Sequence, residues 1–307
     1  MPFRSSRPWS VLGLGALVVL NIVLIGLLVV RPAPGVDGGA PEVAPSASPA
    51  EAAEGEPPAK REPVELPTPS EQPDRREPAE RIIVGADAAT AWRAEVGDCS
   101  DPATLERTSN GGESWEELAL DLAPVSRVRV LGPQTLFAIG GAADCEPTYL
   151  SSSTAGSSWL SNDQYLEGSW YLIPSDRATM ATPAGTVAAP CEAVDLAALD
   201  ATDAALLCRD GDLALTSDGG ASWEETEAPI TASAIGVRDG GFILAGAHES
   251  CDDDVAVVLT TVDGAALDDT SCVDAGDGPL AVSGGPDALW LWAGDATYVS
   301  TDGGQSW

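Results

Sequence analysis

The chain has 307 residues, six cysteines and a formal net charge of −33, and the acidic excess lies mainly after residue 80, where 37 acidic residues face eight arginines and no lysine. A domain this acidic repels nucleic acid and anionic lipid headgroups, so neither is expected as a partner. We interpret the charge as a solvated surface that keeps the domain soluble. A single lysine among many alanines is typical of GC-rich bacterial genomes, such as those of actinobacteria.

The first predicted element is a membrane helix. Between Arg7 and Arg31 lie 23 uncharged residues, and about 20 apolar residues are enough to cross the hydrocarbon core. Arg4 and Arg7 favour a cytoplasmic N-terminus. We therefore predict a cytoplasmic segment over 1–8, a transmembrane helix over 9–30, and a single-pass plasma-membrane protein whose remainder is extracytoplasmic. A cleaved signal peptide is the alternative, although its apolar region is usually only about 7–15 residues long.

A proline-rich linker is predicted over residues 31–80. This stretch holds 12 of the 24 prolines, mixed with Ala, Glu and Ser. Such a composition buries too little apolar surface to offset chain entropy, so we expect a disordered, extended tether. At about 3.1 Å per residue, the tether would reach at most ~155 Å.

Residues 81–307 repeat one short motif, written TSDGGASW at 216–223 and STDGGQSW at 300–307. Five copies end at positions 115, 159, 223, 267 and 307; the second lacks the acid, and the fourth, TTVDGAAL, is degraded. Three of the four intervals are 40 to 44 residues and one is 64. An interval of about 40–45 residues suits a four-stranded propeller blade, and the flanking segments are short and β-rich.

The motif predicts a hairpin turn. Its Asp or Asn side chain accepts hydrogen bonds from the backbone N–H groups that follow, its fifth-position Gly takes a positive φ, and its Trp folds back onto the sheet. The residues assigned to this structural role are Thr108, Asn110, Gly112, Trp115, Ser152, Gly156, Trp159, Thr216, Asp218, Gly220, Trp223, Gly264, Ser300, Asp302, Gly304 and Trp307.

The pattern S/T-x-D-x-G-x-S/T-W resembles the Asp-box, or BNR repeat, of sialidase-like β-propellers, of sortilin-type receptor propellers and of photosystem assembly factors of the Ycf48 kind. The resemblance covers about residues 81–307 and implies an all-β propeller of about five, or six, four-stranded antiparallel blades. In these families the box joins the third and fourth strands of a blade, away from the ligand face. We therefore expect residues 81–84 to complete the last blade as its outer strand, and the 64-residue interval to hold a partial extra blade around residues 170–191.

The six cysteines are expected to form disulfides, as an even number outside the cytoplasm favours. Of the 15 pairings that six cysteines allow, the expected hairpins select Cys191–Cys208 and Cys251–Cys272, which leaves Cys99–Cys145 between neighbouring blades. A zinc site is disfavoured because no CxxC occurs and the only histidine is His248. The CDDD run at 251–254 lacks the spacing of a calcium loop and is interpreted as solvated.

The sequence does not indicate an active site. Sialidases need three arginines for the substrate carboxylate, a Tyr–Glu pair and an acidic proton donor, whereas the domain's arginines are scattered and no tyrosine has a clear Glu partner. We therefore assign no catalytic, cofactor-binding or metal-binding residue. We expect a non-catalytic, membrane-tethered propeller that binds a protein or glycan through the face opposite the motif turns. The alternative is a sialidase-like glycoside hydrolase or carbohydrate-binding propeller of the cell envelope, which a cluster of three arginines around a central cavity would favour.

Overall fold

The computed structural model describes residues 76–267 and 270–307, which form 22 β-strands and two short 3-10 turns, at Asp163–Tyr165 and Glu249–Cys251. The strands are β1 (Arg81–Gly85), β2 (Ala91–Glu95), β3 (Thr104–Thr108), β4 (Glu116–Leu118), β5 (Val125–Gly132), β6 (Thr135–Gly141), β7 (Pro147–Ser152), β8 (Leu160–Ser161), β9 (Tyr171–Ile173), β10 (Asp176–Thr182), β11 (Gly185–Ala188), β12 (Ala193–Ala198), β13 (Ala204–Cys208), β14 (Asp212–Thr216), β15 (Glu224–Glu227), β16 (Thr231–Arg238), β17 (Gly241–Ala247), β18 (Val255–Thr261), β19 (Ser271–Val273), β20 (Leu280–Gly284), β21 (Leu289–Ala293) and β22 (Ala296–Ser300).

These strands form six antiparallel sheets within the described residues, and each sheet is one blade of a β-propeller. Blades 1, 2, 4 and 5 contain β1–β4, β5–β8, β12–β15 and β16–β19, while blades 3 and 6 have three strands each, β9–β11 and β20–β22. The all-β propeller expected from the repeats is therefore confirmed. The described residues form six blades, and blade 3, the additional one, comes from the 64-residue interval.

Burial differs between the strands of a blade, and the outermost strand is the most exposed. In blade 4 every residue of the second strand, β13, is buried, whereas the outer strand β15 has the sequence EETE and is mostly exposed. A middle strand is covered on both faces by neighbouring blades, so it requires apolar residues throughout. Three tryptophans, Trp92, Trp170 and Trp290, are among the largest fully buried side chains and fill the spaces between blades.

The first strands β1, β5, β12, β16 and β20 surround a central channel, in which neighbouring pairs contact in the order β5, β1, β20, β16, β12. The described residues place no strand between β5 and β12, so the wall of the channel has five strands although the ring has six blades.

In the described part of the chain, blade 3 has no inner strand. Trp170, just before β9, donates its indole N–H to Asp200 O in the β12–β13 turn of the next blade, as Trp290 of β21 donates to Asp87 O in the β1–β2 turn. Both tryptophans also meet the motif tryptophan of that next blade edge to face, Trp223 and Trp115 respectively. Because Trp290 lies in the second strand of its blade, β9 occupies a second-strand position. The segment 162–170, with its 3-10 turn, precedes it in place of a first strand.

The expected closure of the ring is wrong. Residues 81–84 do not complete the last blade: Arg81–Gly85 forms β1, which pairs in register with β2 as the inner strand of blade 1. The side of β1 toward blade 6 contacts the inner strand β20 rather than the outer strand β22. Apolar burial explains this choice, because Ile83 is only 2% exposed and belongs to a core cluster with Trp290 and Trp292.

The predicted transmembrane helix over 9–30 and most of the predicted linker lie outside the described residues. Within 76–267 and 270–307, the longest helical segments are single 3-10 turns, and none could span a membrane. Residues 76–80, expected to be part of the disordered linker, instead contact the propeller through backbone hydrogen bonds.

Candidate functional site

The two ends of the ring are chemically different. The motif turns follow the third strands β3, β7, β14, β18 and β22, and we call this end the motif-turn face. The other end, where the inner strands begin and the second and third strands connect, is called the loop face. Since strands within a blade alternate in direction, the two kinds of connection are necessarily at opposite ends.

The well-formed motif turns satisfy their own polar groups. In blade 4 the Thr216 hydroxyl donates to Asp218 Oδ1 at 2.9 Å and accepts from the Gly220 N–H, while Asp218 Oδ1 accepts from the Ser222 N–H at 2.9 Å. The Ser222 hydroxyl is the main cause that holds the pKa of Asp218 at about 2. The fifth-position glycines have φ between +82° and +93°. Both oxygens of the carboxylate thus accept hydrogen bonds from residues of their own turn.

The other copies vary this arrangement in ways that their residues explain. The turns after β3 and β22 have the same bonds through Asn110 and Asp302. In the second copy Thr154 replaces the acid, and its hydroxyl accepts from the Ser158 N–H at 3.0 Å. In the degraded fourth copy the acid is displaced by one position, and the buried Thr260 hydroxyl has no hydrogen-bond partner within the described residues.

The three disulfides are as predicted, and all of them lie on the loop face. Cys191–Cys208 and Cys251–Cys272 each lie within or beside one blade, with Cα–Cα distances of 5.7 and 5.3 Å. Cys99–Cys145 joins the β2–β3 connection of blade 1 to the β6–β7 connection of blade 2, with a Cα–Cα distance of 5.4 Å. These bonds tie the loop-face connections to the framework and to one another.

The central channel holds a cavity of about 470 Å³. Four arginines line it, together with Asp195 and Asp239. This number of arginines meets the criterion set above for an enzyme, so their geometry decides what they can do. Glutamate, tyrosine and histidine are absent from the lining that the structure describes.

Arg127 and Arg129 of β5 lie beside the position at which the described residues of blade 3 provide no inner strand. Arg129 donates to Ala198 O and Leu199 O, both at 2.8 Å, and Arg127 donates to Trp170 O at 3.0 Å and to Ala198 O at 3.3 Å. Burial, and then the charge of Arg129, lowers the pKa of Arg127 to about 9. These guanidinium groups bridge β5 to β12 by satisfying backbone carbonyls. A structural role therefore accounts for their placement.

Asp195, in β12, is an acid of the channel wall whose pKa is shifted. Its carboxylate accepts a hydrogen bond from the Leu196 N–H at 2.8 Å. Burial raises the pKa of Asp195 to about 6, although bonds from the Leu196 and Ile235 amides and the charge of Arg177 oppose that rise. The sequence did not single out Asp195 or the two arginines. The only signal was the alternation of arginine with apolar residues in VSRVRVLG, which also fits a strand with one solvated face.

The loop face carries a second, larger cavity of about 660 Å³, called the face cavity, between blades 1, 2 and 3. Cys99, Pro102 and Pro174 contribute to its wall. Five acidic residues and two arginines line it, namely Glu77, Glu80, Glu95, Asp98, Asp101, Arg81 and Arg177. Its lining is therefore acidic, like the domain as a whole. Among residues 76–267 and 270–307, no three side chains are grouped to hold a metal ion.

Comparisons with known proteins return other propellers and indicate no function for this chain. No protein-family model and no curated protein matches the chain. Similar solved structures include YCF48 bound to a D1 peptide, with 20% identity and a TM-score of 0.28 over 75% of this chain and 66% of that one. They also include the GH74 xyloglucanase from Xanthomonas campestris, with 18% identity and a TM-score of 0.29 over 74% of this chain and 37% of that one.

A third similar structure is the Aleuria aurantia lectin in complex with alpha-methyl-L-fucoside, with 11% identity and a TM-score of 0.41 over 76% of this chain and 98% of the lectin. The chain spans less than two thirds of the first two proteins. At these identities and TM-scores the likeness is one of propeller fold alone.

Proposed function

We propose that the chain is a membrane-tethered, extracytoplasmic propeller that binds a protein or glycan ligand on its loop face and performs no chemistry. The observation that carries this proposal is the face cavity, which combines a volume of about 660 Å³ with walls tied by the Cys99–Cys145 disulfide. The part of the wall that this disulfide fixes favours binding, because less conformational entropy is lost when a ligand is ordered on it; residues 77–80 line another side of the cavity.

The charge of the face cavity favours a neutral or basic ligand. Acidic residues outnumber arginines five to two in its lining, so a basic protein segment is attracted and an anionic one is repelled. Electrostatic attraction of this kind weakens as salt screens it. Binding of an arginine-containing peptide should therefore fall as ionic strength rises.

The motif turns contribute architecture rather than function in this proposal. In the well-formed turns the hydroxyls, carboxylates and backbone N–H groups are paired with one another, and the tryptophans pack between blades. The proposed tether would present the propeller at a distance from the membrane, and the three disulfides fit an oxidising compartment outside the cytoplasm.

A charge-reversal experiment tests the binding site. The double substitution of Glu80→Lys and Asp101→Lys changes two exposed acids of the face cavity, and the matched control Glu116→Lys with Glu225→Lys changes two exposed acids on the outer strands β4 and β15. We expect the first variant to lose at least about tenfold in affinity for an arginine-rich peptide at low salt, and the control to lose less than about twofold. Equal losses would show that the net charge, rather than the face cavity, attracts the peptide.

A glycoside hydrolase is the second candidate, because Asp195 has a raised pKa beside arginines in a cavity. A general acid needs such a pKa. Against this, glycosidases generally use two carboxyl groups that flank the scissile bond, and the other acid of the lining, Asp239, is an exposed residue of the β16–β17 turn. Hydrolysis of a panel of fluorogenic glycosides, including a sialoside, would overturn the binding proposal if turnover disappeared in Asp195→Asn.

A further inference from the structure

Residues 76–80, here called the strap, lie across the loop face from blade 4 to blade 1. At one end the Arg76 N–H donates to Arg209 O at 3.4 Å, and Arg209 Nε donates to Arg76 O at 2.9 Å. The Ala79 N–H donates to Val194 O at 3.0 Å, at the start of β12. These contacts belong to blade 4.

The other end of the strap lies on blade 1. The Val96 N–H, just after β2, donates to Glu80 O at 2.8 Å. Blades 1 and 4 are opposite one another in a ring of six, so the strap spans the loop-face end of the ring between them, and it lines the cavities beside the channel rather than the channel cavity itself. Residues 76–80 thus reach β1 from blade 4, on the opposite side of the ring.

The strap separates spaces that would otherwise be continuous. The face cavity lies on one side of it, and a cavity of about 470 Å³ between blades 3 and 4 lies on the other; Pro78 and Arg177 line both. The face cavity and the channel cavity in turn share Arg81 and Ser126. Displacing the strap would remove Pro78 from the boundary between the first two cavities and leave Arg177 there, so that together with the adjacent channel cavity they would form one joined groove.

Apart from Arg76, whose Nε donates to Ala232 O of β16, the strap is held by few side-chain contacts. Glu77, Pro78 and Glu80 are exposed, and none of its five residues is buried. The Arg209–Glu77 ion pair, at 3.3 Å, involves a Glu77 side chain that is 77% exposed, and exposed ion pairs contribute little to stability. The next residues, β1, are by contrast paired at five successive positions and contribute Ile83 to the core.

We propose that the strap is a displaceable cover that controls access to the face cavity and to the channel beneath it. This inference rests on the proposed function, because it concerns regulation of the same face. A ligand that occupies the joined groove would have to displace residues 76–79, and the tether would then leave the propeller from β1 alone.

Residue-resolved hydrogen exchange on the full chain in a mild detergent tests whether the strap opens. We expect the Ala79 amide to exchange at least about 100-fold faster than the amides of β13, because local opening breaks few contacts whereas β13 opens only with its blade. Pro78→Gly should accelerate Ala79 about threefold or more by loosening the strap. Pro286→Gly, an exposed proline at the opposite end of the channel, is the matched control and should leave Ala79 unchanged.

Thiol labelling tests whether opening gives access to the channel. All six native cysteines are paired, so Ser126→Cys introduces one thiol where the face cavity meets the channel. N-ethylmaleimide should label this thiol several-fold faster when Pro78→Gly or Arg209→Gln is added, and at an unchanged rate with Pro286→Gly.

Either of two results would overturn the inference. If Ala79 exchanges as slowly as β13, the strap is an integral part of the fold. If Ala79 exchanges rapidly but the Ser126→Cys labelling rate is the same in all variants, the strap moves without controlling access. Both measurements are made without ligand, so a failure of the proposed binding function would leave their outcome unaffected.

Discussion

The motif-turn face and the loop face are formed by connections between the same strands, but their structures differ. On the motif-turn face, each well-formed turn repeats one set of bonds, as in the pairing of the Thr216 hydroxyl with Asp218 and Gly220. On the loop face, the connections differ between blades, carry the three disulfides and enclose the face cavity. The repeated residues of this chain thus specify how a hairpin closes. The residues that do not repeat shape the surface available to a ligand.

The largest expected effect concerns the packing that both faces share. Trp170→Ala should destabilise the propeller by about 4 kcal/mol, because it removes a fully buried ring and its hydrogen bond to Asp200 O. Tyr165→Ala, at a position 54% exposed in the same irregular segment, should cost less than about 1 kcal/mol. Urea unfolding of both variants checks this difference. Similar losses would mean that the segment before β9 is not organised around Trp170.

The next effect is the pH dependence that Asp195 gives to the channel wall. Its pKa of about 6 in the folded state lies above the usual value of about 3.9, so the folded state retains this proton more strongly than the unfolded chain. The resulting stabilisation is present below about pH 4 and is lost as pH rises through 6. The free energy of unfolding of Asp195→Asn, relative to that of the wild type, should therefore rise by up to about 3 kcal/mol between pH 4 and pH 7. A difference in the free energy of unfolding between the two proteins that is the same at all pH values would contradict this assignment.

A smaller effect separates the well-formed motif turns from the degraded one. Thr216→Val should cost about 1–2 kcal/mol, because the Gly220 N–H and Asp218 lose a buried hydroxyl partner. Thr260→Val should be neutral or slightly stabilising, since that hydroxyl is buried without a partner in the described residues. Thermal unfolding of the two variants is the measurement. Equal destabilisation would show that Thr260 is satisfied in solution.

Much of the fold could be predicted because glycine and tryptophan recur at blade spacing. Positive φ at Gly112 and Gly220 is a local requirement that the sequence states directly. The disulfide pairing followed from the same hairpins. The missing inner strand of blade 3 could not be predicted, because residues 162–170 carry no repeat signal and only the packing of Trp170 reveals which strand β9 replaces.

The candidate site was less predictable, because it depends on contacts between residues distant in sequence. Arg127 and Arg129 bridge to carbonyls about 70 positions away, and nothing local distinguishes them from arginines on a solvated strand. The strap has the composition of the predicted linker, and only its contacts with blades 1 and 4 show that it packs on the propeller. For the same reason, β1 was placed in the wrong blade: RIIV fits any inner or outer strand until its packing against Trp290 is known.

The most direct test of the binding proposal is site-specific photo-crosslinking in the native envelope. A photoreactive amino acid would be introduced at Pro102 or Thr104 on the face cavity, and at Glu113 or Gln305 on the motif turns, all of which are exposed positions. The proposal predicts that one discrete partner is captured from the two loop-face positions and none from the two motif-turn positions. Capture of the same partner from Glu113 or Gln305, with none from Pro102 or Thr104, would contradict it.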